Sequence, residues 1–318
     1  MSATDPAARH HLGIDLGGTK IEAALFDGQG ATLWRQRVAT PAGSYDGTVA
    51  AVLDAVIRAR QITHGLPITV GIGTPGSATP AGLMKNCNST CLNGRPLQHD
   101  ISTAIGQPAW LANDANCLAL SEATDGAGAG AAVVFAAILG TGTGAGITVH
   151  GRVLTGPNGL AGEWGHNPLP WAVPGVDPSW PCYCGRSGCI ETLLSGPGLA
   201  RDHAAFNHRG LTSQMSGEQI SQASATGDTA CATTLERHAQ RLARALGSVI
   251  NLLDPDVVVL GGGLSNMAHL YTRVPQLWGQ WVFAGGTTEP LRTRLAQSQH
   301  GDASGVRGAA WVGRAGSG

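Results

Sequence analysis

Apolar and polar positions come in short blocks over the first half of the chain. Residues 12–16 form a brief apolar run, Gly17-Gly18-Thr19 follows, and residues 21–26 form a second apolar run. This pattern predicts two strands joined by a tight turn, with residues 32–38 able to pair as a third strand. Val49, Leu53 and Ile57 recur at helical spacing and predict an amphipathic helix over residues 49–59. Residues 68–73 predict another strand, stopped by Pro75-Gly76. Residues 109–112 predict a strand running into Asn113-Asp114. A helix over residues 116–123 comes next, with Asn113 or Asp114 near its N-cap.

The strand–turn–strand unit then recurs. Residues 133–139 are apolar, Gly140-Thr141-Gly142-Thr143-Gly144 follows, and residues 147–149 return. Two glycine/threonine hairpins between apolar strands suggest duplicated halves, although so short a match also arises by chance. Leu235, Leu242, Leu246, Val249, Ile250 and Leu253 share one face of the strongest helical segment, residues 235–253, which ends at Asp254-Pro255. Residues 257–260 predict a buried strand running into Gly261-Gly262-Gly263. The proline-bearing stretch 171–181 predicts a loop. No low-complexity linker separates the halves, so the expectation is two closely packed domains, residues 1–116 and 117–318, with a cleft between them.

Composition narrows the function classes. A chain of 318 residues suits two domains. Only 13% of residues are charged, and 42% are hydrophobic, which excludes a highly charged disordered chain. The formal net charge is −1 and no basic block appears, so no nucleic-acid partner is implied. The first ten residues lack a signal-peptide core, and the most apolar stretch, residues 131–139, is too short to span a bilayer. The expectation is a cytoplasmic protein with no membrane partner. The 47 glycines mark tight turns and close backbone approach. Seven cysteines, three of them between positions 182 and 189, suit a metal better than a disulfide framework.

Three groups of residues carry candidate chemistry. In Asp15-Leu16-Gly17-Gly18-Thr19-Lys20 the glycines let backbone N–H groups close round an anion, and Asp15 can hold Mg2+ through water. The Walker A spacing is absent, and a strand stands where a dinucleotide fingerprint requires a helix. An ordinary hairpin is the alternative. Thr141 and Gly142 offer a second phosphate turn, and Gly261 and Gly262 allow a flat ring close to the backbone; together the turns suggest a nucleotide with several phosphates. Asp114, at a strand-to-helix junction, is either a plain helix cap or a general base, a role that contributes about 10²–10⁴-fold in rate. His166 with Cys182, Cys184 and Cys189 matches a closed tetrahedral structural zinc site. The alternatives are a buried histidine with free thiols, or a disulfide, which Cys182 and Cys184 would form only under strain. Glu163 and Glu191 flank the metal segment and can accept from sugar hydroxyls. Asn86 and Asn88 can add amide contacts, and each is equally a solvated polar residue. Cys87, Cys91, Cys117 and Cys231 lack ligand spacing and are expected to be packed thiols.

Taken together these stretches resemble the ROK family of sugar kinases and regulators. The resemblance rests on residues 13–20, 71–76, 111–116, 140–146, Gly162-Glu163-Trp164-Gly165-His166, 182–191 and 254–263. It extends to the bacterial fructokinases of the manno(fructo)kinase type through Asn86-Cys87-Asn88-Ser89-Thr90, Leu92-Asn93-Gly94, residues 163–171 and the tail 300–311. It implies two actin-like, ribonuclease-H-like α/β domains with an interdomain cleft. The final helix is expected to pack back on the first domain. It implies Asp114 as the base acting on a sugar 6-hydroxyl, and Asn88, Asn113, Glu163, His166 and Glu191 as sugar contacts. His166 would bind zinc through one ring nitrogen and face the sugar with the other. Asp15, Gly17, Gly18, Thr19, Lys20, Thr141 and Gly142 would meet the phosphates and Mg2+, with Gly261 and Gly262 near the adenosine of ATP. One departure stands out: Gly140-Thr141-Gly142-Thr143-Gly144-Ala145-Gly146 replaces the commoner Gly-Thr-Gly-Ile-Gly-Gly-Gly.

The expected activity is therefore an ATP-dependent kinase for fructose, with mannose as a neighbouring substrate. A glucose or N-acetylglucosamine kinase of the same family is the first alternative. A sugar-responsive regulator is less favoured, because about a dozen residues precede Gly13 and a helix-turn-helix module would be needed there. A metal-dependent hydrolase ranks last, since four ligands leave zinc no open position. Family members often form homodimers, which gives the expectation for self-association.

Overall fold

A computed structural model describes residues 10–207, 215–283 and 289–317. Contacts divide the chain into two compact units. One comprises Met1–Gly126, Val153–Leu160 and Asp302–Gly318; the other comprises Ala127–Arg152 and Ala161–Gly301.

The first unit is built on strands β1 (His10–Leu16), β2 (Lys20–Phe26), β3 (Thr32–Ala39), β4 (Ile68–Thr74) and, beyond the two-stranded ribbon β5 (Ser77–Ala78) and β6 (Met84–Lys85), β7 (Ala109–Asn113). The sheet order is β3-β2-β1-β4-β7. The first three strands run antiparallel, whereas β1, β4 and β7 run parallel. Helix α1 (Tyr45–Ile62) starts at Ser44, whose side chain accepts from the Gly47 N–H. Its buried face is Thr48, Val52, Val56 and Ala59. This corrects the sequence expectation: Ile57 is exposed, and Val49 and Leu53 sit at the margin of the core. Both sets recur at helical spacing, and alanines around the helix leave the periodicity unable to choose between them. Helix α2 (Leu97–Ile105) buries Leu97, Ile101 and Ile105, and α3 (Asp114–Asp125) follows β7 directly.

The expected boundary after residue 116 would cut through α3. That helix stays whole in the first unit because the last helix, α9 (Ser304–Gly316), lies against it and against β1 and β4. The approach is close. A Cβ at Gly71 would stand 1.8 Å from the Ala309 carbonyl oxygen, and one at Gly308 would stand 1.8 Å from the Cys117 carbonyl oxygen. Glycine is thus required at the crossing. Glu122, fully buried on α3, accepts from the Ser304 hydroxyl at 3.0 Å, and Arg307 pairs with Asp125.

The second unit repeats the plan. Strands β8 (Val133–Leu139), β9 (Thr143–Val149), β10 (Arg152–Val153), β11 (Val257–Gly261) and β12 (Arg294–Gln297) form a sheet in the order β10-β9-β8-β11-β12. Again a hairpin is antiparallel and the following strands are parallel. Helices α4 (Ile190–Leu194), α5 (Gly196–Phe206), α6 (Gly217–Ala225), α7 (Thr229–Leu253) and α8 (Leu270–Trp278) cover it. Helix α7 buries Leu235, Leu242, Leu246, Val249 and Ile250 in the core that also holds Phe135, Val258 and Leu260 of the sheet, each worth about 1.5–3 kcal/mol. Arg241 and Arg244 of the same helix are also buried. They pair with Asp177, which lies in the loop that the prolines predict over residues 171–181. Among the described residues no helix is long and apolar enough to cross a membrane.

Candidate active site and metal centre

In the first unit the functional side chains gather where the parallel strands end. Strand register sets Asp15 beside Gly73, and Thr74 beside Asn113, so β1, β4 and β7 finish side by side. Strand ends of this kind are where α/β sheets bind ligands. Asn113 caps α3: its Oδ1 accepts from the Ala115 N–H at 2.9 Å while its Nδ2 donates to the Gly76 carbonyl at 3.2 Å. Both ends of the amide are thus already engaged. Asp114 is the first residue of α3, exposed, and its Oδ1 accepts from the Ala115 N–H at 2.8 Å.

Burial pushes the Asp15 carboxyl up to about 6, and the charges of Asp114 and Glu22 push in the same direction against Lys20. Beneath it the buried Cys117 thiol is raised well above its ordinary value, by burial first and then by Asp15 and Asp114. A carboxylate so placed gains from a cation, which fits Mg2+. Gly305, near the start of α9, approaches Asp15 closely: a Cβ there would lie 2.9 Å from Oδ2. The turn at Gly17-Gly18-Thr19 is pinned from Thr40, which donates through its hydroxyl to the Gly17 carbonyl at 2.7 Å and through its N–H to the Thr19 carbonyl at 3.0 Å. Gly18, Thr19 and Lys20 stay exposed. Asn88 is exposed on a loop that Asn93 clamps at both faces of Cys87. The loop reaches the turn, since a Cβ on Gly18 would lie 3.9 Å from Ser89 Oγ.

The second unit carries the other set. Glu191, on α4, accepts from the Thr143 N–H at 2.9 Å, just beyond Thr141 and Gly142. A Cβ on Gly142 would lie 2.7 Å from the same carboxylate oxygen. Gly262 has φ +80° and sits on the Leu139 backbone, so Gly261 and Gly262 adjoin this hairpin. Glu163 and His166 share one short 3₁₀ turn, held on β9 by Gly165, where a Cβ would meet the Thr143 carbonyl oxygen at 1.8 Å.

His166, Cys182, Cys184 and Cys189 present ligand atoms within 4.8 Å of one another. With metal–sulfur bonds of about 2.3 Å and metal–nitrogen bonds of about 2.0–2.1 Å, a tetrahedron has edges of about 3.8 Å between sulfurs and about 3.6 Å from sulfur to nitrogen. The Cys184–Cys189 sulfurs are 3.7 Å apart, and Cys182 Sγ lies 3.5 Å from His166 Nδ1. The donor set and spacing therefore fit a four-coordinate metal. The Arg186 backbone N–H and side chain lower the Cys184 thiol to about 6, which favours a thiolate there. Backbone bonds from Cys182 to Arg186 (2.7 Å) and from Gly188 to Trp180 (2.8 Å) hold the loop closed.

The other nitrogen, Nε2, meets the Tyr183 hydroxyl at 2.9 Å. Tyr183 was present in the cysteine motif but carried no expected role. Asp177, Ser89 and Gly305 were likewise not singled out. Only the complementary charges of Asp177, Arg241 and Arg244 gave a signal, and they lie far apart in sequence.

The description of the ROK family matches residues 11–315. The chain belongs to the ROK family. An N-acetyl-D-glucosamine kinase of Escherichia coli K12 is 37% identical over 307 residues, covering 95% of this chain and 98% of that protein. The ROK hexokinase of Thermus thermophilus superposes with a TM-score of 0.80 at 31% identity, covering 95% of this chain and 97% of that one. A ROK glucokinase from Streptomyces griseus, solved with glucose and AMPPNP, gives 0.76 at 30% identity, covering 96% and 99%. The fold of this ROK protein is that of the actin-like sugar kinases, and the chain is assigned to the family's ATP-dependent sugar kinases.

Proposed function

We propose that this chain transfers the γ-phosphoryl group of ATP to the 6-hydroxyl of a hexose, with fructose preferred and mannose next. The observation that carries the chemistry is the pair of carboxylates at the ends of the two strands that flank β4: Asp114, at the start of α3 just after β7, and the half-buried Asp15 on β1. Asp114 takes the hydroxyl proton as the sugar oxygen bonds to phosphorus. The bond from the γ-phosphorus to the bridging oxygen breaks, ADP leaves, and the proton passes from Asp114 to solvent. General-base help is worth about 10²–10⁴-fold, and most of the remainder comes from positioning and charge.

Asn88, Asn113, Glu163, His166 and Glu191 are assigned to sugar hydroxyls. Asp15, Gly17, Gly18, Thr19, Lys20, Thr141 and Gly142 are assigned to the phosphates, and Gly261 and Gly262 to the adenosine. Asp15 would hold Mg2+ through water, and that ion supplies neutralising charge at the phosphates. His166, Cys182, Cys184 and Cys189 would hold zinc in a structural role, since they fill a tetrahedron and leave no position for water. Zinc would fix the plane of the His166 ring and hence the direction of Nε2.

Fructose rests on the likeness of residues 86–94, 163–171 and 300–311 to the manno(fructo)kinase type. A second reading, N-acetylglucosamine, is favoured by the Escherichia coli relative. Measuring kcat/KM with Mg-ATP against fructose, mannose, glucose and N-acetylglucosamine separates them. A preference for fructose supports the first reading. A preference for N-acetylglucosamine moves the assignment to the second, and no turnover of any of the four overturns the kinase reading. Asp114→Asn is expected to lower kcat by at least about 10²-fold with the fold intact; wild-type kcat would remove Asp114 as the base.

A further inference from the structure

Tyr183 lies between two of the cysteine ligands, yet its side chain is 84% exposed. It is held at its tip, where the hydroxyl meets His166 Nε2 at 2.9 Å, and along its edge, where the two rings meet at 89° with centroids 5.0 Å apart. Its backbone has little freedom. The Gly185 N–H donates to the Cys182 carbonyl at 3.0 Å, closing a turn over residues 182–185, and Gly185 adopts φ +87°. Movement at this position is therefore rotation of the side chain about its own bonds. Rotating it outward uncovers little apolar surface, because so little of the ring is covered now.

His166 Nδ1 faces Cys182 Sγ. A metal on Nδ1 would leave the ring proton on Nε2, which would then donate to the phenol oxygen. The phenol is a neutral alcohol that accepts at this point and keeps a proton to donate elsewhere. A sugar hydroxyl has the same pair of capacities. One N–H aimed along one line serves a single acceptor well, so phenol and sugar hydroxyl compete for the same place.

We infer that the Tyr183 hydroxyl stands in for a sugar hydroxyl on His166 in the ligand-free protein and swings away when the sugar binds, making Tyr183 a residue that sets sugar affinity. This rests on the assignment of His166 to the sugar under the kinase reading. A competing internal contact lowers apparent affinity by the fraction of molecules in which it is formed. One hydrogen bond of ordinary net strength corresponds to about 2- to 10-fold.

The test uses the full-length protein with its metal. Steady-state kinetics of wild type and Tyr183→Phe are run with whichever of fructose, mannose, glucose or N-acetylglucosamine wild type turns over best. Expected is a KM for sugar about 2- to 10-fold lower in the variant, with the change in KM rather than kcat. A residue that merely steadied His166 would give the opposite, a raised KM. The second readout is NMR of protein labelled with 13C at tyrosine Cζ. The chain has three tyrosines, and Tyr183→Phe identifies the resonance in question. Tyr45 donates to Asp100 and Tyr271 to the Ser265 carbonyl, both at 2.6 Å, and serve as internal references. Saturating sugar is expected to shift the Tyr183 resonance selectively. A KM unchanged or raised, or an unmoved resonance while turnover proceeds, overturns this inference and leaves the kinase reading standing. Failure to turn over any of the four sugars overturns both.

Discussion

Replacing Asp15 with asparagine is expected to stabilise the first unit while disabling the enzyme. The carboxyl is held at about 6 against an ordinary 3.8, chiefly because it is buried and secondly because Asp114 and Glu22 repel it. Each factor of ten in proton affinity is worth about 1.4 kcal/mol, so keeping Asp15 ionised in the folded protein costs about 3 kcal/mol. The sign follows from linkage. The folded pKa is raised, so the group favours folding below pH 4, and that advantage is lost as pH rises through 6. Asparagine matches the shape and carries no charge, which removes the cost at pH 7.5. For a unit of this size about 3 kcal/mol is a rise in Tm of about 6–12 °C. The assay is thermal denaturation of wild type and Asp15→Asn between pH 4 and 8, without Mg2+ or nucleotide, alongside kcat/KM for Mg-ATP. The stability gap should be widest above pH 6.5 and close toward pH 4, and kcat/KM should fall by at least about 10²-fold. A variant less stable than wild type at pH 7.5, or a gap that does not change with pH, would refute the reasoning. The trade is the usual one at sites where like charges are held together for a purpose.

Two further outcomes are expected. The Asp177 side chain is covered, yet its pKa is lowered: burial alone would raise it, but hydrogen bonds from Arg244, the Val173 N–H and Arg241 prevail. Asp177→Ala strands Arg244 and should cost the second unit about 3–5 kcal/mol by urea denaturation at pH 7. The wild-type contribution fades as pH falls below about 4, and a loss under 1 kcal/mol at pH 7 would show that the arginines find other partners. Cys184→Ser should lower metal content by elemental analysis and reduce turnover in parallel; full metal content in the variant would break the four-ligand assignment.

Local pattern carried most of the strand and turn predictions. The two glycine hairpins between apolar strands were visible in the sequence, and the matching strand order of the two sheets gives that likeness a structural form. The proximity of His166, Cys182, Cys184 and Cys189 was legible because three of them lie within eight residues, and backbone bonds close the loop that carries them. The buried face of helix α1 was only partly legible: Val49 and Leu53 pack at the margin of the core and Ile57 is exposed, whereas Val52, Val56 and Ala59, at a similar helical spacing, are the buried set. The final helix was expected to pack back on the first domain, and α9 lies against β1, β4 and α3; that α3 belongs whole to that unit has no mark in the sequence. Tyr183 and Asp177 were missed for a related reason: an exposed aromatic and a loop carboxylate acquire meaning only through partners that folding brings to them.

The covering helix α9 also fixes an order of events during synthesis. Its contacts fall on β1, β4 and α3, all made before Gly126, while the helix begins at Ser304. At about 5–20 residues per second the ribosome needs roughly ten to thirty-five seconds to cross that interval. Throughout it, β1, β4 and α3 are without the side chains of Val306, Ala309, Ala310 and Trp311 that are buried in the finished fold. The second unit, by contrast, has all of its segments by Gly301. The half of the protein whose translation starts first is therefore the half whose last segment is made last.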